Sequence, residues 1–182
     1  IDRVGAYGNV DTGYRCLIDL ANPALEAGTV IRVDAYFSTA PLGGGIGYVV
    51  TFREVSPGVF SSRGFASVAF PTVVGLQTWT GLAIPVEVGD FIGIALPIGL
   101  ANYGIDVTTG GGVGVRRNFV AAGMPVVSET FGTLDAIETM SLQGTFEPTF
   151  SIAPHSGVTG YFTVGNGTTT YYLQIDKASI QI

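Results

Sequence analysis

Along most of this chain apolar and polar residues alternate with a period of two, the spacing that puts every second side chain of a strand on one face. In the run 14–20, Tyr14, Cys16, Ile18 and Leu20 share one face, and Arg15 and Asp19 share the other. The run 31–37 repeats this, with Ile31, Val33, Ala35 and Phe37 inward against Arg32, Asp34 and Tyr36. Further strand-like runs cover 48–55, 59–70, 77–84, 91–96, 113–119, 137–146, 158–164 and 171–182. Turn formers cluster between them at 41–45 (PLGGG), 56–58 (SPG), 110–112 (GGG) and 165–167 (GNG). Only 20–26 (LANPALE) and 131–138 (FGTLDAIE) could hold a helical turn, and neither has both caps and a long periodic face. The pattern predicts an all-β fold, an antiparallel two-sheet β-sandwich of jelly-roll-like form. No linker or composition break divides it, so a single domain over 1–182 is expected, with 1–12 as an extending N-terminal strand.

One stretch, 86–96 (VEVGDFIGIAL), tests the pattern, because apolar runs flank a single Gly-Asp pair. Gly89 can adopt positive φ, and the Asp90 carboxylate can fold onto backbone N–H groups just ahead, which makes a turn between two core strands. Beyond it Phe91, Gly93 and Ala95 face one way and Ile92, Ile94 and Leu96 the other. Both faces are apolar, so this strand is expected to be buried on both sides or to lie at a contact surface.

Composition changes the picture in one respect. Charged residues are only 12% of the 182, against an ordinary level of about 25%. Mean hydropathy is +0.45. The longest candidate for a membrane-spanning helix, the uncharged run Gly64 to Val86, is broken by Pro71, Gly75, Gln77, Gly81 and Pro85, so no such helix is expected. A lipid-facing barrel would need many regular strands of about ten residues with aromatic girdles, which these short, irregular runs do not supply. Net charge is −6, and the densest basic feature is Arg116-Arg117, too little for a nucleic-acid partner. The chain begins at Ile1 without an initiator Met, which is read as a leader removed or a start inside a longer sequence, and fits an exported protein.

Candidate chemistry is sparse. His155 is the only histidine and Cys16 the only cysteine, so neither a zinc site nor an internal disulfide is expected. Cys16 lies among apolar neighbours and reads as a buried free thiol. No G-x-S-x-G elbow is present, and the 14 carboxylates show no paired spacing that would mark a glycosidase. The Gly-rich runs 43–47 and 110–114 lack the following Lys-Ser/Thr and helix of a phosphate cradle, and read as flexible connections. No catalytic residue, cofactor or metal is therefore assigned. Trp79, Tyr48 and Tyr103 are candidates for stacking against sugar rings, if exposed. Asn166 opens the sequence Asn166-Gly167-Thr168, a candidate for glycan attachment.

Two stretches carry a resemblance. The stretch 171–182 (YYLQIDKASIQI) resembles the closing strand of galactose-binding-like and carbohydrate-binding jelly rolls, with Lys177 where their second acid would stand. The stretch 75–94 (GLQTWTGLAIPVEVGDFIGI) resembles jelly-roll modules of phage-like and environmental extracellular structural proteins, in which G-L, V-x-x-G-D and I-G-I recur around one hairpin. These motifs are structural, so the resemblance implies a fold and no particular chemistry.

Two functions of different class follow. A soluble monomer ordinarily carries roughly 25–35% charge on its surface, which this chain cannot supply. Such a surface suits a non-catalytic structural subunit that joins copies of itself into an extracellular filament, coat or surface layer, at a cell or virion surface. Terminal strands could make the joint by exchange between copies, with Ile1, Val4, Ala6 and Val10 at one end and Ala178, Ile180 and Ile182 at the other. The alternative is a monomeric glycan-binding or adhesion module.

Overall fold

The computed structural model describes residues 9–11, 16–39, 45–95, 104–109, 114–118, 124–135, 138–148, 160–165 and 170–175. The chain groups into two compact units, Ile1–Pro148 and Thr149–Ile182. Among the described residues there is no helix. The strands are β1 (Asn9–Asp11), β2 (Cys16–Asp19), β3 (Gly28–Thr39), β4 (Gly45–Ser56), β5 (Val59–Phe70), β6 (Gly75–Val86), β7 (Phe91–Ala95), β8 (Gly104–Thr109), β9 (Val115–Asn118), β10 (Glu129–Thr130), β11 (Thr133–Asp135), β12 (Glu138–Met140), β13 (Leu142–Pro148), β14 (Gly160–Gly165) and β15 (Thr170–Ile175). The first unit is an antiparallel two-sheet β-sandwich, as the alternation predicts. In the second unit β14 and β15 form an antiparallel hairpin, with Gly160 opposite Ile175 and Gly165 opposite Thr170.

One sheet is six-stranded and built on β3. Strand β6 lies along one side of β3, and β13 and then β8 lie along the other. Strands β1 and β12 both pair with β8. Between β12 and β13, Ser141 turns its carbonyl to the Tyr36 N–H at 3.1 Å, so the interruption costs no backbone bond. The other sheet is seven-stranded, in the order β10-β5-β4-β7-β2-β9-β11. Its two edge strands, β10 and β11, are separated in the chain only by Phe131 and Gly132. The sheet therefore curls until its edges meet through one short connection, which removes most of its exposed edge.

Two cores result. The first lies between the sheets and includes Val33, Ala35 and Phe37 of β3, Val49 of β4, Val68 and Phe70 of β5, Ile84 of β6, Ile94 of β7 and Leu142 of β13. The second fills the curl of the seven-stranded sheet with Cys16, Ile18, Val50, Phe52, Phe60, Ala95, Val126 and Phe131. Strands β2, β4 and β7 thus feed both cores, one from each face. That explains why 91–95 is apolar on both faces: Ile94 enters the first core and Ala95 the second. The small residue between Ile92 and Ile94 also has a packing reason. A Cβ on Gly93 would sit 2.4 Å from the Leu17 carbonyl oxygen and 2.7 Å from the Phe52 ring.

Four sequence expectations are corrected. Ile31 does not share the inward face with Val33; Val30 is buried instead, at 5% exposure. The cause is a bulge at Ile31 itself: consecutive Thr145 and Phe146 of β13 face Arg32 and Val30, so Ile31 is an extra residue, and β6 is irregular here too, at Gly81 to Ala83. Asp19 and Asp34 are not outward solvated residues but buried ones. Asp19 accepts from the Ala21 N–H at 3.0 Å, and Asp34 accepts from Arg32 at 2.9 Å and from the Thr78 hydroxyl. Gly45 to Gly47 is no flexible connection, because it begins β4, and a Cβ on Gly47 would meet the Phe70 ring at 2.3 Å. Neither proposed helical turn forms: 20–26 is an open loop, and 131–135 is extended around β11.

Candidate functional site

The sequence reading placed Asp90 in a turn, and the turn explains how β6 and β7 are held. Gly89 has φ +84°, in the region that favours glycine. The Asp90 carboxylate accepts from the Glu87 N–H at 2.8 Å and receives two bonds from the Arg63 guanidinium of β5, one of them at 3.1 Å. Those bonds hold the Arg63 guanidinium above its ordinary pKa. Glu87 adds an ion pair to Arg63 at 3.3 Å from a largely exposed position. A second clip ties the sheets together beside it. The buried Thr51 hydroxyl of β4 donates to the Pro85 carbonyl of β6 at 2.7 Å and accepts from the Gly64 N–H at 3.2 Å.

These clips leave one long side of the sandwich open. Among the described residues β6 has β3 as its one strand partner, and β5 beyond Phe60 has β4 as its one strand partner, with the Ser62 N–H bonded to the Val126 carbonyl at 2.9 Å. The two strands run along the same side and enclose an open groove of about 830 Å³, lined by Phe65, Ser67 and Ala69 of β5, Thr78, Trp79 and Thr80 of β6, and Tyr48 of β4 among others. Trp79 is half-buried. Its indole N–H donates to the Ala69 carbonyl at 2.9 Å, and its ring meets Phe37 edge-on at a centroid distance of 6.3 Å. Tyr48 packs edge-on against Phe65 at 5.7 Å. No charged residue lines the groove.

Two of the three sugar-stacking candidates, Tyr48 and Trp79, are thus brought to one groove, while Tyr103 lies outside the described residues. So do Asn166 and, of the terminal set, Ile1, Val4, Ala6, Ala178, Ile180 and Ile182. Val10 is in β1 opposite Asp106 of the same chain's β8. Exposed apolar residues that the sequence reading did not single out stand at the two ends of the β3–β6 pair. Leu25 (83% exposed) and Val88 (68%) lie at one end, joined through the Ala24–Asp90 and Gly89–Ala24 backbone bonds. Val73 and Val74 lie just before β6 at the other end, with Leu76 inside it. Ile46 is exposed on this end too, opposite Ala69. Nothing in a period-two pattern distinguishes such loop residues from core, so only the folded chain reveals them.

Among the described residues no group of three or more His, Cys, Asp or Glu side chains gathers as a metal site would require. No helix among them is long and apolar enough to cross a membrane. Cys16 is fully buried in the second core, and burial pushes its thiol far above the ordinary range. Because the folded thiol holds its proton, stability from this group is full below the unfolded thiol's pKa of about 8.5 and is lost as pH rises past it. The native protein is expected to show almost no reaction with a thiol reagent until denatured. Its denaturation midpoint should also fall faster above pH ~9 than that of Cys16→Ala. Rapid labelling of the folded chain would contradict the burial.

No family model, curated protein or solved structure matches this chain.

Proposed function

We propose that this protein is a non-catalytic structural subunit that assembles end to end with copies of itself, in an extracellular filament, coat or surface layer. The observation that supports it best is the placing of exposed apolar residues at opposite ends of the β3–β6 pair, Leu25 and Val88 against Val73, Val74 and Leu76, with Ile46 of β4 exposed as well. Isolated exposed apolar side chains need no explanation, but grouped ones mark contact sites. Two different patches at opposite ends give a heterologous contact, which propagates as a fibre unless the rotation closes a ring. The 12% charge content favours the same reading, since few charges oppose the burial. Terminal-strand exchange is the other joint considered above; because β1 already pairs with β8 of its own chain, the end patches are the preferred contact.

The test is particle size by light scattering and negative-stain microscopy. The wild type is expected to form elongated particles. Leu25→Glu or Val74→Glu should each abolish elongation while the chain keeps its β-sheet circular dichroism, because both side chains lie outside the core. Elongation unaffected by either change, or a wild type that never elongates, would remove this reading.

A glycan-binding module remains the second reading, favoured by the uncharged groove that gathers Tyr48 and Trp79. Trp79 is the only tryptophan in the chain, so intrinsic emission reports that groove directly.

A further inference from the structure

We propose that the open side of the sandwich is a second, lateral contact, in which the free edge of β6 pairs antiparallel with the same edge of another copy across a two-fold axis. This rests on the self-assembly reading and adds to it a surface distinct from the end patches.

The argument begins with how the fold treats its edges. The seven-stranded sheet hides its own by curling until β10 and β11 are joined through Phe131 and Gly132. Among the described residues, the six-stranded sheet leaves β6 without a second strand partner, and only near Pro85 does β4 reach it, through the Thr51 hydroxyl. An uncovered edge presents a row of unpaired N–H and C=O groups, and proteins ordinarily guard it with charge, proline or bulges. Here charge is missing altogether from Gly64 to Val86, which comprises the last part of β5, beyond Arg63, and the whole of β6. The other two devices are present but confined to one end. Gly81 to Ala83 form the bulge, with Gly81 at φ +68°, and Pro85 follows. The segment Leu76 to Thr80 is left regular, in continuous register with Tyr36 to Arg32.

Charge decides the occupant. The protein carries −6 overall, so two copies repel across most approaches. An approach through β5 and β6 brings no like charges together, because neither the groove nor the β6 edge holds any. A charged peptide would find no countercharge there, whereas the same edge of a second copy offers an equally neutral surface and its own unpaired backbone groups. A two-fold axis perpendicular to the sheet keeps the inner face of each copy inward. It therefore sets residues of like facing opposite each other. Centred on the regular segment, that places Thr78 opposite its own counterpart, Leu76 opposite Thr80, and Gln77 opposite Trp79.

The experiment uses the full chain carrying Leu25→Glu, which blocks the end contact. Analytical ultracentrifugation of this variant is expected to give twice the mass of the chain. Adding Thr80→Lys should halve that mass while the β-sheet circular dichroism is kept, since Thr80 is exposed. Adding Thr78→Cys instead should give a disulfide-linked dimer on mild oxidation, with Cys16 unreactive. A Leu25→Glu protein of single-chain mass would overturn the lateral contact while leaving the end-to-end reading in place. A dimer indifferent to Thr80→Lys and not cross-linked through Thr78→Cys would overturn it as well. So would a single-chain protein whose Trp79 emission changes saturably with cellohexaose, because a sugar would then own the groove. A wild type that matches Leu25→Glu, both dimeric, would instead strike out the end contact and keep the lateral one.

Discussion

Replacing Phe131 with Ala is expected to destabilise the fold by about 3–5 kcal/mol, the range for deleting a buried aromatic ring. The ring is fully buried in the second core and meets Phe52 and Phe60 edge-on at 5.6 and 5.4 Å. Its backbone is as important as its ring. The Phe131 N–H donates to the Gly58 carbonyl in the β4–β5 turn at 2.8 Å, and its carbonyl accepts from Arg116 of β9 at 3.1 Å. One residue therefore touches both sides of the seam where the seven-stranded sheet comes together. Alanine keeps the backbone bonds but removes the plug, so the loss should fall mainly on the curl around β9, β10 and β11. Denaturant titration measures the total, and hydrogen exchange should show amides at Thr133 to Asp135 opening first. A loss below about 1 kcal/mol would mean that the core collapses around the gap and that the seam does not depend on the ring.

Phe131 also shows where the sequence stops being legible. Alternation identifies a strand when one face is polar, as around β2 and along 33–37 of β3, whereas β7, apolar on both faces, is legible as a short apolar run bounded by the turn at Gly89 and Asp90. The segment 131–138 has no such period, since Phe131 points into a core while Gly132 is exposed, and only a two-residue link separates β10 from β11. Strand β8 escaped for a related reason: its sequence, GIDVTT, is half polar and short. Ile31 departs from the pattern because it is an extra residue of β3 against β13, which puts the residues on its two sides out of step and leaves no mark on its own stretch of sequence. The turn at Gly89 and Asp90 was legible because glycine and aspartate each act locally. Its partner was not, because Arg63 is far away in the chain and nothing in a single sequence pairs the two. The open edge stood in plain view as the uncharged run from Gly64 to Val86, but the run was read as a candidate for membrane insertion and set aside. Only pairing shows that those residues form the two strands along one open side.

Asp90→Ala is expected to cost about 2–4 kcal/mol, more than an ordinary turn substitution, because two kinds of partner lose their acceptor at once. The carboxylate is 2% exposed, so its bonds to the Glu87 N–H and the Arg63 guanidinium are formed out of water. Without it, the acceptor left to Arg63 among the described residues is the Glu87 carboxylate at 3.3 Å, which is 64% exposed and worth little by itself. Arg63 is itself partly solvated, at 22%, and that holds the loss below the value for a fully buried pair. Asp90→Asn should lose less, since an amide oxygen can still accept from Glu87 while its NH₂ group faces the guanidinium. The decisive comparison is the double variant Arg63→Met with Asp90→Ala. If most of the loss comes from a stranded cation, the methionine recovers part of it, and the double variant is more stable than Asp90→Ala alone. If the loss comes instead from the uncapped turn, removing the arginine recovers nothing and the two effects add. Recovery is expected, because the guanidinium's only buried acceptor is the carboxylate that has been removed. Strict additivity in urea titrations would place the contribution of Asp90 in the turn alone and leave the link from β5 to the β6–β7 turn without energetic weight.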